Sequence, residues 1–244
     1  MKLNPDEELC HLRDGFSIIQ SKKYFCFTTD SVLLADFCRA KEGDHCVDLG
    51  AGQGILSVLL FARYRVGSVD AVEIQPQLCN ILRRNAQINN LDSLFIHECD
   101  LREHRLKKGS YDVVICNPPY APTGTGEQSD TAAVGVARHE IRCSLSDVIA
   151  VGMELLRFGG CMYVCLRPQR LCDAISLARQ FGGEVKTMRF VHPYVQSKPN
   201  LVLLQIRRGG KPGLDVACPL VLYDSPGIES REMKRIYQGD SHER

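Results

Sequence analysis

The sequence predicts an α/β fold in which helices pack on a mostly parallel, doubly wound sheet. Short apolar runs alternate with amphipathic stretches of helical length along the 244 residues, which is the pattern of βαβ units. With 44% hydrophobic and 24% charged residues, the chain has the composition of a globular protein. It is also long enough to fold as one sizeable domain around a single core.

Five strands and four helices are predicted in alternation. We expect strands at 45–49, 68–73, 94–97, 112–116 and 161–166, and helices at 55–64, 76–89, 146–156 and 171–181. Pro76 fits a first helical turn, and Asn90 and Gly159-Gly160 fit helix C-terminal caps.

Two further β-rich runs, 185–191 and 201–206, follow without a crossover helix between them, so they should pair antiparallel. A mostly parallel seven-stranded sheet with an antiparallel closing pair is the layout of the class I, Rossmann-like methyltransferase fold, an analogy at the level of fold alone. We expect an N-terminal cap over the cofactor site (1–43), a domain of this fold (44–225) and a polar tail (226–244) with the composition of a mobile segment.

Composition argues against a membrane protein and against a metal site. The chain has no apolar run of about 20 residues and no apolar segment near its start, so we expect a cytoplasmic protein. Its twelve cysteines are scattered singly, which is typical of reduced, buried thiols. Cys161 and Cys165 come closest to metal-ligand spacing, but no second ligand pair accompanies them, so no metal is predicted. The oligomeric state stays open, with a monomer favoured.

A glycine-rich turn follows the first core strand. Gly50, Gly52 and Gly54 alternate after Asp48, a spacing that allows backbone to approach a ligand closely. The dinucleotide pattern GxGxxG, if it began at Gly50, would require glycine at position 55, where this chain has Ile55. The spacing is instead DxGxGxG. S-adenosylmethionine, which has no phosphate and carries an amino group for Asp48 to meet, fits this turn better.

Acidic residues end the next two strands. Glu73 is placed to accept hydrogen bonds from ribose hydroxyls, and Asp100 is placed to meet the exocyclic amine of the cofactor adenine. Taken singly, Asp48 is equally a turn residue, Glu73 a surface charge and Asp100 an N-cap. Their joint position at successive strand ends favours a cofactor site, because ligands bind open α/β sheets beyond the carboxyl ends of the strands.

The fourth strand runs into Asn117-Pro118-Pro119-Tyr120. The Asn117 side-chain oxygen and the Pro118 carbonyl can accept hydrogen bonds from a planar amine and localise its lone pair. Asn117 is also a candidate contact for the cofactor. Tyr120 can stack on the flat group. The alternative is a proline-fixed turn without a role in chemistry.

Two segments are candidates for substrate contacts. The stretch 121–143 has the length of a lid, and its Arg138 and His139 fit either a contact with phosphate or the target base, or the start of a helix. The segment 185–214 holds basic residues and no acidic ones, which fits either a solvated surface or phosphate binding. Its candidate contacts are Lys186, Arg189, Lys198, Arg207 and Arg208.

Together with these motifs, several segments resemble the bacterial family that methylates N6 of the adenine 3′ of the anticodon in a valine tRNA. They are the run from Phe27 to Phe37, Ala137 to Ile141, Arg167 to Leu171, Val191-His192-Pro193 and Asn200 to Leu203. The resemblance covers roughly residues 15 to 224. It implies an S-adenosylmethionine-dependent N-methyltransferase with tRNA as its partner. It also implies that Thr28, Thr29 and the residues up to Ser31 close over the methionine end of the cofactor.

Three other functions stay open. The same motif serves methylation of glutamine amides in release factors, although the helical domain expected there has no room in 43 residues. Ribosomal RNA guanine-N2 methyltransferases more often carry Phe where this chain has Tyr120. A non-catalytic RNA-binding scaffold with a retained fold is the alternative outside enzymes.

Overall fold

The chain begins with a short hairpin and then alternates strands with helices. A computed structural model describes residues 3–118 and 143–238. The strands are β1 (Glu7–His11), β2 (Ser17–Ser21), β3 (His45–Leu49), β4 (Ser68–Glu73), β5 (Leu94–Glu98), β6 (Tyr111–Cys116), β7 (Leu156–Leu166), β8 (Gly183–His192), β9 (Leu201–Arg208), β10 (Asp215–Val216), β11 (Leu220–Val221), β12 (Tyr223–Ser225) and β13 (Ile228–Glu229). The helices are α1 (Thr29–Phe37), α2 (Ile55–Tyr64), α3 (Pro76–Ile88), α4 (Leu145–Leu155), α5 (Leu171–Gln180) and α6 (Arg231–Gln238).

Seven strands form the centre of the main sheet in the order β8-β9-β7-β6-β3-β4-β5. All of them run parallel except β9, which is antiparallel to both β7 and β8. The predicted class I fold and its antiparallel pair are therefore confirmed. The short strands β10 and β11 both pair with β8, so the sheet has nine strands rather than the seven expected.

Helices cover both faces of the sheet because the strands in its middle are apolar on both sides. One core cluster joins the sheet to α1, α2, α3 and α6, and the other joins it to α4 and α5. Val47 of β3 and Val114 of β6 are fully buried in the second cluster, whereas Cys46 and Ile115 are fully buried in the first. This continuous burial matches the apolar runs from which the strands are predicted.

Most predicted boundaries lie within a few residues of the observed ones, but the glycines after α4 have a different role. The helix ends at Leu155 and β7 begins at once, so Gly159 and Gly160 lie inside a strand rather than in a helix cap. A Cβ on Gly160 would lie 3.0 Å from the backbone oxygens of Tyr111 and Asp112. The glycine is therefore required by the close approach of the neighbouring strand. Asn90, with φ of 52°, does follow the end of α3 as expected.

The expected polar tail contains a packed helix. Met233 and Ile236 of α6 are 1% and 0% exposed and belong to the core beside α1. Two apolar residues three positions apart lie on one side of a helix, which allows a mostly charged segment to bury one face. Residue 225 therefore does not mark the end of the packed domain. In the part of the chain that the structure describes, no helix is long and apolar enough to cross a membrane.

Candidate active site

The glycine turn forms the floor of the candidate site between β3 and α2. Gly50, Gly52 and Gly54 all have positive φ, at 72°, 57° and 94°. A Cβ on Gly54 would lie 2.0 Å from Cδ1 of Leu82, so this position requires glycine for packing as well as for conformation. Apart from each glycine's own chain neighbours, no described residue has an atom within 4 Å of where a Cβ of Gly50 or of Gly52 would be. These two positions leave backbone open to a ligand.

Glu73 lies beside this turn, at the end of β4. Its carboxylate accepts hydrogen bonds from the backbone N–H of Gly52 and of Gln75, each at 2.9 Å, and the residue is 6% exposed. Glu73 therefore fixes the shape of the glycine turn. Its expected contact with ribose hydroxyls stays a prediction.

Asp48 is buried beneath the turn. One carboxylate oxygen accepts hydrogen bonds from the backbone N–H of Ser57 at 3.0 Å and from the Ser57 hydroxyl at 2.7 Å. The other oxygen has no hydrogen-bond partner among the described residues. Burial raises the pKa of Asp48 to about 7, because it removes water from the charged form. With 0% exposure, Asp48 acts here on the first turn of α2, and its contact with the cofactor amino group stays a prediction.

Asp100 lies just after β5, on the edge of the sheet where Glu73 ends β4. It is the N-cap of a short 3-10 turn, Leu101–Glu103, and accepts a hydrogen bond from the backbone N–H of Arg102 at 2.9 Å. The Arg102 guanidinium pairs with the same carboxylate and lowers the pKa of Asp100. The N-cap interpretation is therefore seen, and binding of the adenine amine stays a prediction.

Asn117 follows β6 directly and its amide is held on two sides. The side-chain nitrogen donates to the hydroxyl oxygen of Ser31 on α1 at 2.9 Å, and the side-chain oxygen accepts from the thiol of Cys165 on β7 at 3.0 Å. Pro118 is buried next to it. Tyr120 lies outside the described residues. The sequence analysis assigns no role at this site to Cys165. Cys116 of β6 pairs with Val164 of β7, and Asn117 and Cys165 are the residues that follow them.

The start of α1 is close to this amide. Thr28 is the N-cap of α1 through its backbone, and its carbonyl accepts a hydrogen bond from the N–H of Ser31 at 3.1 Å. Thr29 accepts a hydrogen bond from the Tyr237 hydroxyl of α6 at 3.3 Å. Because Ser31 contacts Asn117, the segment is placed beside the end of β6. Its closure over a methionine group stays a prediction.

Three side-chain amides, which the sequence interpretation missed, join the N-terminal hairpin to the site. Gln53 in the glycine turn bonds the N–H and carbonyl of Ser21 at 2.7 and 3.3 Å. Asn85 of α3 bonds both backbone groups of Ile19 at 2.7 and 3.0 Å. In the same way, Asn89 bonds both backbone groups of Ser17 at 2.9 and 2.7 Å. These amides pair with alternate residues of β2 as a neighbouring strand would.

The basic candidates are not grouped at one place. Arg207 and Arg208 pair with residues at the start of β8. Because β8 runs parallel to β3, its start lies at the sheet edge opposite the glycine turn. Lys186 is near the same start and donates to the carbonyls of Lys211 and Gly213. Only Lys198, in the β8–β9 loop, and Arg189, near the end of β8, lie toward the candidate site.

Arg138 and His139, with the predicted lid, lie outside the described residues. Among the residues that are described, no three His, Cys, Asp or Glu side chains are grouped as a metal site would require. All twelve cysteines are described and all are free thiols.

Comparison with known proteins gives one family and a consistent fold. The sequence profile described as Methyltransferase small domain matches residues 25–188. A curated protein from Shewanella frigidimarina, named tRNA1(Val) (adenine(37)-N6)-methyltransferase, is 30% identical over 162 residues, which is 64% of this chain and 64% of that protein. The chain therefore spans just under two thirds of the length of this relative.

Two solved structures share the fold. A predicted O-methyltransferase from Agrobacterium tumefaciens has a TM-score of 0.68 at 19% identity, over 85% of this chain and 95% of that one. TYW2 from M. jannaschii, in complex with AdoMet, has a TM-score of 0.59 at 15% identity, over 85% and 89% of the two chains. At these identities, the likeness extends to the fold alone.

Proposed function

The chain belongs to the methyltransferase small domain family, and from this premise we propose that it transfers a methyl group from S-adenosylmethionine to the N6 amine of an adenine in tRNA. The observation that carries the proposal is the placement of the Asn117 amide. It ends β6, the strand next to β3, and the glycine turn begins where β3 ends. A methyl donor at the turn and an amine at Asn117 would therefore be neighbours.

The residues at the strand ends fit the proposed donor. Gly50 and Gly52 leave open space that a Cβ would fill, which suits the methionine part of S-adenosylmethionine. Glu73 and Asp100 lie at the ends of β4 and β5, where the ribose and the adenine would bind. When bound, this cofactor supplies an electrophilic methyl group on a sulfonium.

The chain's own contribution is alignment of the amine. An adenine amine is a poor nucleophile because its lone pair is delocalised into the ring. Hydrogen bonds from its two N–H groups to the Asn117 side-chain oxygen and the Pro118 carbonyl would turn the lone pair toward the donor. The amine loses a proton to water as it gains the methyl group, so no strong base is needed. Catalysis then depends on position and electrostatics.

The choice of tRNA follows the relative's name and the resemblance noted above. The Shewanella protein is named for adenine 37 of a valine tRNA, which lies 3′ of the anticodon, and we infer the same class of target here. A base in a folded loop must leave its stack to reach Asn117, at a cost of a few kcal/mol that contacts with the RNA backbone must offset. A tRNA substrate also implies a cytoplasmic reaction.

The test is a methylation assay with radiolabelled S-adenosylmethionine and unmodified bulk tRNA, with release factor and ribosomal RNA as separate acceptors. Wild type, Asn117→Ala and the control Asn80→Ala, an exposed position on α3, are compared. We expect N6-methyladenosine in tRNA with wild type and the control. Asn117→Ala should lower kcat by roughly 100-fold or more, as for other aligning groups.

Other results would overturn the assignment in defined ways. Label in release factor would identify a glutamine amide as the acceptor, and methylguanosine in ribosomal RNA would identify the guanine amine. Full methylation of tRNA by Asn117→Ala would remove the proposed role of that amide. RNA binding without methylation of any acceptor would identify an RNA-binding scaffold.

A further inference from the structure

A cavity of about 380 Å³ lies on the helical face of the sheet that α1, α2 and α6 cover. Five of its lining residues are arginines, and two are carboxylates. The arginines are Arg13, Arg39, Arg63, Arg189 and Arg235. We call this space the arginine cavity.

Three of the arginines share the two carboxylates. Asp36 pairs with Arg63 at 2.9 Å, and Glu232 pairs with Arg189 at 2.8 Å. Arg235 lies between these pairs, 3.7 Å from Asp36 and 3.6 Å from Glu232. The carboxylates thus hold the guanidinium groups in one row. They neutralise only part of the positive charge.

Of the other two arginines, Arg39 adds to this excess. Arg39 donates to the backbone carbonyls of Asp36 and Cys38 at 2.9 and 3.0 Å, which leaves its charge without a carboxylate among the described residues. Arg13 is paired with Asp14 at 2.8 Å, so the excess comes from the row and from Arg39. The arginine cavity is therefore a built concentration of positive charge, and such charge attracts anions.

Arg63 is the most buried member of the row. Its side chain is 5% exposed, and its Nε–H has no hydrogen-bond partner in the described part of the chain. Burial lowers the pKa of Arg63, Asp36 opposes this effect, and the positive charge of Arg13 adds to it. A buried guanidinium with an unused N–H group destabilises the fold. An anion in the cavity would offset the desolvation of Arg63 and its repulsion by Arg13.

The guanidinium groups of the arginine cavity favour phosphate as a ligand. Guanidinium groups bind phosphate oxygens through paired hydrogen bonds, and a cavity of this volume can hold a nucleotide-sized group. The arginine cavity is also connected to the candidate active site through α1. Asp36 follows Ser31, which contacts Asn117, by five residues, or about 7.5 Å along a helix.

We propose that the arginine cavity binds a phosphate group of the RNA backbone and so positions the substrate over the site at Asn117. This inference rests on the proposed function, since it takes the substrate to be RNA. It assigns Arg189 to this cavity rather than to a face shared with Lys186, Arg207 and Arg208. Arg39 and Arg235 would donate to the phosphate oxygens from the open side of the cavity.

The test compares Arg235→Gln, Arg39→Gln and the double variant with Arg83→Gln. Arg83 is a matched control because its side chain is 48% exposed, as is that of Arg235, and it also pairs with one glutamate. Loss of the long ion pairs of Arg235 should cost little stability, since exposed pairs contribute about 0–1 kcal/mol. The Kd for tRNA is measured at several salt concentrations, together with the Kd for S-adenosylmethionine and Tm.

We expect the double variant to bind tRNA about tenfold more weakly than wild type. The slope of log Kd against log salt concentration should be smaller than that of wild type by roughly one, because one phosphate contact is lost. Arg83→Gln should match wild type, and all variants should keep their affinity for S-adenosylmethionine. Unchanged tRNA affinity and salt dependence in the double variant would overturn the inference. A second contrary outcome combines two measurements: inorganic phosphate raises the Tm of wild type but not of the double variant, and the double variant binds tRNA with normal affinity. The cavity would then bind a free phosphate compound and not RNA.

Failure of the proposed function has a different signature. If wild type neither binds nor methylates tRNA, both proposals fall together. If wild type methylates tRNA and the double variant does so with an unchanged KM, only the phosphate site is wrong. Binding of an acidic protein, lost in the double variant while tRNA binding is kept, would assign the cavity to another kind of partner.

Discussion

The geometry around Asn117 depends on two side chains that do not belong to its motif. The Ser31 hydroxyl accepts a hydrogen bond from the amide nitrogen, and the Cys165 thiol donates one to the amide oxygen. These two hydrogen bonds restrict rotation of the amide and so set the direction of its oxygen. Because the alignment of an amine depends on that direction, we regard Cys165 as a positioning residue.

Cys165→Ala should lower kcat by about 3- to 10-fold, which corresponds to the loss of one hydrogen bond, while Kd for S-adenosylmethionine changes little. Because Cys165 is fully buried, Tm should fall as well. Cys165→Ser, which keeps a donor, should recover most of the rate. Cys161→Ala on the same strand is the control. Equal rates for Cys165→Ala and Cys165→Ser would show that the thiol acts by packing alone. Single-turnover kinetics with tRNA measures the effect.

Asp48 illustrates a different residue-scale effect, because its burial connects stability to pH. Its pKa is raised to about 7 in the folded protein, whereas the ordinary value is 3.8. Between these two values the folded protein holds a proton that the unfolded chain has released. The contribution of Asp48 to the free energy of unfolding therefore falls as pH rises from about 4 to about 7, and this loss is complete above the folded pKa.

Asp48→Asn should remove this dependence while keeping an acceptor for the Ser57 hydroxyl. We expect the free energy of unfolding of the variant, minus that of wild type, to increase between pH 4 and 7 by about 1.4 kcal/mol for each pH unit. Above about pH 7 this difference should stay constant. Urea unfolding of both proteins at several pH values measures the difference, in which other titrating groups cancel. A difference that stays constant over this range would show that Asp48 is ionised in the fold.

At the scale of elements, the N-terminal hairpin is attached by side chains rather than by the main sheet. Gln53, Asn85 and Asn89 bond the backbone of alternate residues of β2. Glu7 of β1 adds an ion pair with Arg84 of α3. Since Asn85 also donates to the carbonyl of Gln53 at 2.8 Å, the hairpin, α3 and the glycine turn form one connected unit.

Asn85→Ala should therefore cost about 1–3 kcal/mol of stability, because it leaves the buried N–H and carbonyl of Ile19 without their partner. Hydrogen exchange should rise in residues 17–21. The same substitution at Asn80, on the exposed face of the same helix, should cost less than about 0.5 kcal/mol. If the two variants are equally stable and exchange alike, the amide does not hold the hairpin.

At the scale of the whole molecule, the parallel topology places the candidate cofactor residues that follow the strands at one edge of the sheet. The glycine turn, Glu73 and Asn117 follow β3, β4 and β6, which are adjacent strands of the same direction. The antiparallel pairing of β8 with β9 brings Lys186, Arg207 and Arg208 to the opposite edge of the sheet, away from Lys198 in the β8–β9 loop. Arginines from α2, β8 and α6, from the segment after α1 and from the turn between β1 and β2 instead meet at the arginine cavity.

Local features of the sequence were sufficient to predict β3, α2 and their glycine turn. Each depends on periodicity or backbone conformation within about ten residues, and the observed bounds, His45–Leu49 and Ile55–Tyr64, equal the predicted ones. The fold class followed from the order of such elements. The position of Asn117 at a strand end was predicted for the same reason.

Tertiary structure alone decided which side chains meet. The contacts of Asn117 with Ser31 and Cys165 join residues 86 and 48 positions away in the chain. The burial of Asp48, the packing of α6 and the grouping of arginines from five separate segments likewise depend on how helices pack on the sheet. Such contacts form between surfaces that are distant in sequence, and no periodicity of a single segment encodes its partner.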